Sequence, residues 1–215
     1  MIWRRFKIYF IRNVLVIASA VLFSLAIFFY VKAEGAREEY FLKRGILINE
    51  NKFETGDTVT ILEAVDGDEV VIRRDEDNQS TLRILGVKSF KRSYQSHKLH
   101  RFGQKSFEYL ESLKGKKAVI TLNDVKPVDS RGRLLGYLDL ENANGTIDAG
   151  AHMIQQGWSA VYTAYPFSRE QEYTRLQKSA TDDVKGLWIE PELSKQVQTL
   201  QAFWLEERLE REAEK

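Results

Sequence analysis

The sequence predicts an α+β, mainly β fold: a five-stranded barrel with helices packed on it. One N-terminal transmembrane helix precedes the barrel and an amphipathic helix follows it. Three observations carry this expectation. Val14 to Val31 is a run of eighteen residues without a charge. From Asp57 the hydrophobic period becomes that of strands, punctuated by turn residues. After Pro191, Leu193, Val197, Leu200 and Trp204 recur at spacings of four, three and four, which is a helical stripe. The expected organisation is a basic segment 1–13, a membrane span 14–31, a connection 32–56, a barrel domain 57–188 and a helical end 189–215.

The span comes first. At 1.5 Å per residue it reaches about 27 Å, close to the hydrocarbon thickness of a bilayer. Arg4, Arg5, Lys7 and Arg12 precede it with no acid before Glu34. The positive-inside bias therefore puts the N-terminus in the cytoplasm or mitochondrial matrix. The domain then lies in the periplasm, outside the cell or in the intermembrane space. A cleaved signal peptide is the alternative, but its apolar region is normally 7–15 residues. Phe28, Phe29 and Tyr30 also close the run as an interfacial belt would.

In the barrel region, Thr58–Ala64 and Glu69–Arg74 are strand-like runs on either side of Asp66-Gly67-Asp68, a hairpin turn. Thr81–Val87 is a third strand. Gly103–Leu113 carries a helical stripe of Phe107, Leu110 and Leu113. Ala118–Leu122 and Leu134–Leu140 are strands, the second closed by Asn144-Gly145. A short helix at Ala149–Gln156 stops at Gly157, and Trp158–Tyr162 is a strand. Ser168-x-x-Gln171 reads as a capping box that opens a helix running to about Lys185. Three strands, a helix, two strands, a short helix, a strand and a helix make the order of an OB-fold barrel. The final helix serves two readings equally, packing back on its own barrel or forming an arm for a partner.

Composition excludes several function classes. The chain has no cysteine, so disulfides, thiol catalysis and thiolate metal sites are ruled out. His97, His100 and His152 lack the spacing of a metal site, and His152 reads as a packed or surface residue. Five basic residues and no acid occupy residues 1–33, which leaves residues 34–215 with 27 basic against 31 acidic, a net −4. That charge does not suit general nucleic-acid binding.

From Asp57 to Trp188 the chain resembles the staphylococcal nuclease family. The resemblance rests on Ala64-Val65-Asp66-Gly67-Asp68, Arg83-Ile84-Leu85-Gly86-Val87, Asp129-Ser130-Arg131-Gly132-Arg133-Leu134 with Tyr137, Gln156-Gly157-Trp158 and Gly186-Leu187-Trp188. It implies calcium-dependent hydrolysis of phosphodiesters in DNA and RNA. Two aspartates and a backbone carbonyl would hold the ion, a glutamate would act as general base, and two arginines would neutralise the phosphate. Carried over by position, Asp68 matches one metal ligand, and Arg83 and Arg133 match the arginines. Lys88 stands at the second aspartate and Lys91 at the glutamate. Ser89 still offers its carbonyl. An ammonium group cannot ligate calcium and repels it. No Asp or Glu occurs from Ile84 to Lys105, so no shift of register restores the pair. Asp66 and Glu69 flank Asp68 but face other ways on a strand.

The expected outcome is a domain without the inherited catalysis and without a cofactor; calcium enters only if nuclease chemistry survives. The stretch from Lys88 carries Lys88, Lys91, Arg92, Lys98, Arg101 and Lys105, with Phe90, Tyr94 and Phe102 interleaved. It reads either as a solvated loop or as an anion-binding surface, for an acidic protein or lipid partner first and for nucleic-acid backbone last. The resemblance also implies a nucleotide-stacking tyrosine pair, of which Tyr162 matches one while Ala164, beside Tyr165, replaces the other. Trp158 and Tyr137 read as core. The function expected is a membrane-anchored structural or binding module, an accessory subunit of a membrane complex. A membrane-anchored endonuclease and a tethered anion binder are the alternatives.

Overall fold

The computed structural model describes residues 19, 22–30, 32, 53–90, 97–142 and 145–213. The chain forms two compact units, Met1–Arg44 and Gly45–Lys215. In the first, residues 22–30 are helical, and Leu22, Phe23, Phe28, Phe29 and Tyr30 are exposed. The rest of the predicted 14–31 span, except Ser19, lies outside the described residues, as do residues 1–13 and 33–52. No helix among the described residues is long and apolar enough to cross a membrane.

The second unit is built on β1 (Thr58–Asp66), β2 (Glu69–Arg73), β3 (Gln79–Ile84), β5 (Lys117–Leu122) and β6 (Leu134–Asn142). These pair in the order β3-β2-β1-β5-β6, and a parallel β3–β6 ladder closes the ring into a five-stranded barrel. In that ladder Leu82, Arg83 and Ile84 face Leu134, Leu135 and Gly136. Gly136 is needed at the β5–β6 crossing, because a Cβ there would come within 2.6 Å of the Thr121 carbonyl. Alternation places Ala118, Ile120 and Leu122 of β5 inside, with Ile61, Ile72, Leu82 and Leu138, while the neighbouring Tyr137 is buried on the opposite face of β6 against Tyr173.

Outside the ring lie β4 (Val87–Lys88), β7 (Gly145–Asp148) and β8 (Ala160–Val161). The helices are α1 (His97–Ser112), α2 (Ala149–Gln155), α3 (Glu170–Asp182) and α4 (Pro191–Ala213), with a 3-10 turn at Gly186–Trp188. The predicted third strand breaks in two at Gly86, whose φ of +70° turns the chain so that β4 leaves the ring and pairs with β8. The predicted Trp158–Tyr162 strand shortens to its central residues, and Trp158 instead packs beside Tyr109 and His152. Helix α1 starts six residues before the predicted Gly103, because Leu99 and Phe102 bury a further turn. Strand β7 was not predicted. Residues Gly145–Asp148 pair with Asp139–Asn142, and most of their side chains are exposed, so they lack strand alternation.

The capping box does not form. Helix α3 starts at Glu170 with no side-chain cap, since the Tyr137 hydroxyl engages Ser168 Oγ at 3.0 Å. It ends at Asp182, earlier than predicted, where Val184 at φ +54° turns the chain and Leu187 N donates to the Gly157 carbonyl.

Barrel and helices are joined by a polar network centred on Asp148 and Arg169. Asp148 Oδ1 accepts from Gly150 N and Ala151 N and so caps α2. The same carboxylate accepts from the Tyr173 hydroxyl and from Arg169 Nη1. Arg169 also forks onto Asp139, with both bonds at 2.6 Å, and stacks 4.2 Å from the Tyr137 ring centre. Burial, reinforced by the Asp148 charge, pushes the Tyr173 hydroxyl far above its ordinary value, so it stays a neutral donor. Asp148→Ala removes a cap and leaves Arg169 and Tyr173 short of an acceptor. Urea unfolding of this variant is expected to show a loss of at least about 3 kcal/mol. A loss under about 1 kcal/mol would mean the network is not a joint.

Candidate functional site

The turn between β1 and β2 presents Asp66, Asp68 and Glu69. Asp66 Oδ1 accepts from Gly67 N at 2.8 Å, which tightens the turn. Asp68 is 1% exposed. Its carboxylate faces Arg83 on β3, Nη1 to Oδ1 at 3.3 Å and Nη2 to Oδ2 at 3.2 Å, and Oδ2 also accepts from Ser89 N at 3.3 Å. The predicted metal-ligand position and one predicted arginine are therefore in contact with each other.

Arg133 precedes β6 by one residue, and parallel closure sets it near the same end of β3. It is held by two acids. Nη1 donates to Glu69 Oε2 at 2.6 Å, and Nη2 and Nε donate to Asp129 Oδ2 at 2.6 and 2.8 Å. Asp129 Oδ1 also accepts from Arg131 N and Arg133 N. Burial acts to raise the Asp129 carboxyl, but the Arg133 bonds and the two amides outweigh it and hold the group below the usual carboxylate range. Both predicted arginines are thus engaged by carboxylates of their own chain. Asp129 opens the Asp129-to-Leu134 motif, yet the sequence assigns neither it nor Glu69 to Arg133. The short loop from Asp129 to Arg133 was the available signal for the first; the second depends on barrel closure.

Lys88 lies on β4 with its Nζ 5.6 Å from the Tyr162 ring centre. Lys91, Arg92 and Tyr94 lie outside the described residues. Among the described residues no group of three or more His, Asp or Glu side chains is arranged to hold a metal ion. The remaining predicted cations are on α1, not on a loop. Lys98 pairs with Glu190 at 3.1 Å, and Arg101 pairs with the same carboxylate. Arg101 and Lys105 also stand over the Phe102 ring, at 4.7 and 5.9 Å. Glu190 comes from the segment just before α4, so the acid-free run of sequence is not an acid-free surface. Phe90 and Phe102 are buried with Leu99, Leu187 and Trp188 and present no stacking face.

Helix α4 packs on its own domain. Leu193, Val197 and Trp204 are buried and Leu200 is partly buried against them, so these four are not an open partner face. Of the two open readings of this stripe, the internal one describes these side chains. Trp204 meets Tyr162 edge to face at 5.0 Å, while Arg211 stacks 4.5 Å from Tyr165 and donates to the Ala164 carbonyl. The tyrosine surface expected to stack a base is therefore contacted by α4. His152 lies between Tyr109 and Trp158, and burial pushes its imidazole below the ordinary 6.5.

Two measurements check this arrangement. Asp68→Ala leaves the Arg83 guanidinium without its carboxylate, and its expected cost is about 3 kcal/mol of stability. Asp68→Leu with Arg83→Met is expected to recover most of that, and additive losses in the cycle would contradict a coupled pair. Asp129 has a lowered folded pKa. Its contribution is therefore full above the ordinary carboxylate value and is lost as pH falls through the lowered one. Asp129→Asn is expected to lower the urea midpoint at neutral pH and to flatten its decline below about pH 4. An unchanged acid limb would contradict it.

The model of the staphylococcal nuclease homologue family matches residues 81–190, from β3 to the residue before α4. No curated relative matches the chain. The match spans just over half of the sequence and includes Arg83, Arg133 and the β3–β6 closure between them, so the chain belongs to the staphylococcal nuclease homologue family.

Proposed function

We propose that this chain is a non-catalytic, membrane-anchored member of its family, a structural and binding module that serves as an accessory subunit of a larger membrane assembly. The observation that carries the reading is the internal use of both arginines. Phosphate transfer needs guanidinium groups free to meet developing charge, yet Arg83 faces Asp68, and Arg133 is shared by Glu69 and Asp129.

The donor set supports the same conclusion. Calcium takes six to eight oxygen ligands. The two Asp68 oxygens already face Arg83 and Ser89 N, and Lys88 occupies the position of a second carboxylate. These residues do not fit a calcium ion. With Lys91 in place of the general base, the attacking water has no acceptor for its proton. Trp204 and Arg211 add a further obstacle by contacting Tyr162 and Tyr165.

Anchoring rests on the uncharged 14–31 run and on the exposed apolar side chains of residues 22–30. The basic residues before that run place the N-terminus in the cytoplasm or matrix, with the domain across the membrane. There the partners are membrane lipid and other subunits, not nucleic acid, which the net −4 of residues 34–215 would repel.

The test is extraction of the full-length protein in mild detergent, followed by native sizing and cleavage assays on DNA and RNA with calcium, magnesium or manganese. The expected result is migration with a larger complex and no metal-dependent cleavage. Cleavage that Asp68→Ala or Arg83→Ala abolishes would establish the nuclease instead. Migration as a free monomer would remove the subunit role.

A further inference from the structure

Helix α4 carries a second apolar stripe, distinct from the one it buries. Successive residues of a helix are rotated by about 100°. Trp204 faces the domain, so Ala202, Leu205, Leu209 and Ala213 share another face. All four are exposed, Leu205 at 46% and Leu209 at 57%. Ala202, Leu205 and Leu209 are spaced three and four apart, which brings them into line on consecutive turns. Exposed Leu side chains scattered singly are ordinary, but an aligned row with small residues at its ends fits a second helix closely.

The charges around the row select its partner. Between Ala202 and Ala213 stand four glutamates and two arginines. Both arginines are used by their own chain. Arg208 donates to Glu170 at 2.9 and 3.0 Å and to Glu212 at 3.1 Å, and Arg211 is held by Ala164 and Tyr165. Glu206 and Glu210 border the row on one side and make no ion pair among the described residues, while Glu212 borders it on the other. A second copy of this face would set glutamate against glutamate, and anionic lipid would be repelled in the same way.

We infer that the outer face of α4 is a docking surface for an amphipathic helix of a partner protein, with an apolar stripe edged by Lys or Arg. The inference rests on the reading of the chain as a binding module and names the surface that binds. The face lies wholly beyond the residues matched to the family, 81–190. The Leu193, Val197 and Trp204 contacts hold the helix in place, so little ordering is required when a partner docks.

The test uses the full-length chain and two labelled helical peptides with the same Leu/Ala stripe, one edged by lysines and one by glutamates. Anisotropy is expected to show binding of the Lys-edged peptide, weakened at least about tenfold by Leu205→Glu with Leu209→Glu. Glu206→Lys with Glu210→Lys is expected to shift preference to the Glu-edged peptide. The altered positions are exposed, and unchanged melting curves show that the fold is kept. Equal binding of the Lys-edged peptide to wild type and to the double Leu variant overturns the inference, as does no binding. Self-association, or binding to anionic vesicles, that the double Leu variant abolishes would assign the face to a second copy or to lipid and overturn it too. Failure here with the native complex intact and no cleavage removes only this surface, whereas metal-dependent cleavage removes the reading beneath it.

Discussion

The parallel pairing of β3 with β6 is the constraint on which the rest depends. It closes the ring, and it sets Arg83 opposite Leu135, near the residue that precedes β6. Two guanidinium groups are thereby held at one end of the barrel beside the β1–β2 turn. Like charges crowded at a half-buried site need compensation. Asp68, Glu69 and Asp129 supply it, and Asp68, at 1% exposed, has the Arg83 guanidinium as its charge partner. The same geometry that could grip a phosphate becomes self-neutralising once the remaining donors are lysines.

That arrangement satisfies the charge at this end of the barrel within the chain itself. A catalytic site is an unsatisfied arrangement, with charge kept waiting for a ligand. With Lys88 present and no acid between Ile84 and Lys105, nothing draws the carboxylates toward a cation other than their own arginines. The ion pairs then tie the β1–β2 turn to β3 and to the start of β6. In this site, the contacts that brace the barrel are the same contacts that occupy the arginines.

Local signals made much of this legible. Strand-like runs marked β1, β2 and β5, Asp66-Gly67-Asp68 marked the hairpin, and the stripe after Pro191 marked α4. What stayed hidden depends on residues far apart in sequence. The acid that offsets Lys98 and Arg101 is Glu190, eighty-nine residues from Arg101, and only the packing of α1 against the Gly186–Trp188 turn brings it there. Glu69 meets Arg133 through closure of the ring, which no window of sequence contains. Ser168 has the spacing of a cap, yet Tyr137 engages it from β6, because a buried hydroxyl must find a partner. Strand β7, short and solvent-facing, carries no alternation to detect.

Helix α4 shows most clearly why a stripe in sequence does not name its partner. Leu193, Val197, Leu200 and Trp204 form the regular pattern, and a regular pattern is what a domain uses to bury a helix on itself. The row of Ala202, Leu205 and Leu209 is less conspicuous in sequence because glutamates interrupt it. Those glutamates are what give the row its selectivity, since an apolar face without charge would accept any apolar surface. Burial on one side makes the helix rigid, and rigidity makes the other side a defined surface. A helix with two faces therefore covers Tyr162 and Tyr165 with one and presents the other by the same packing.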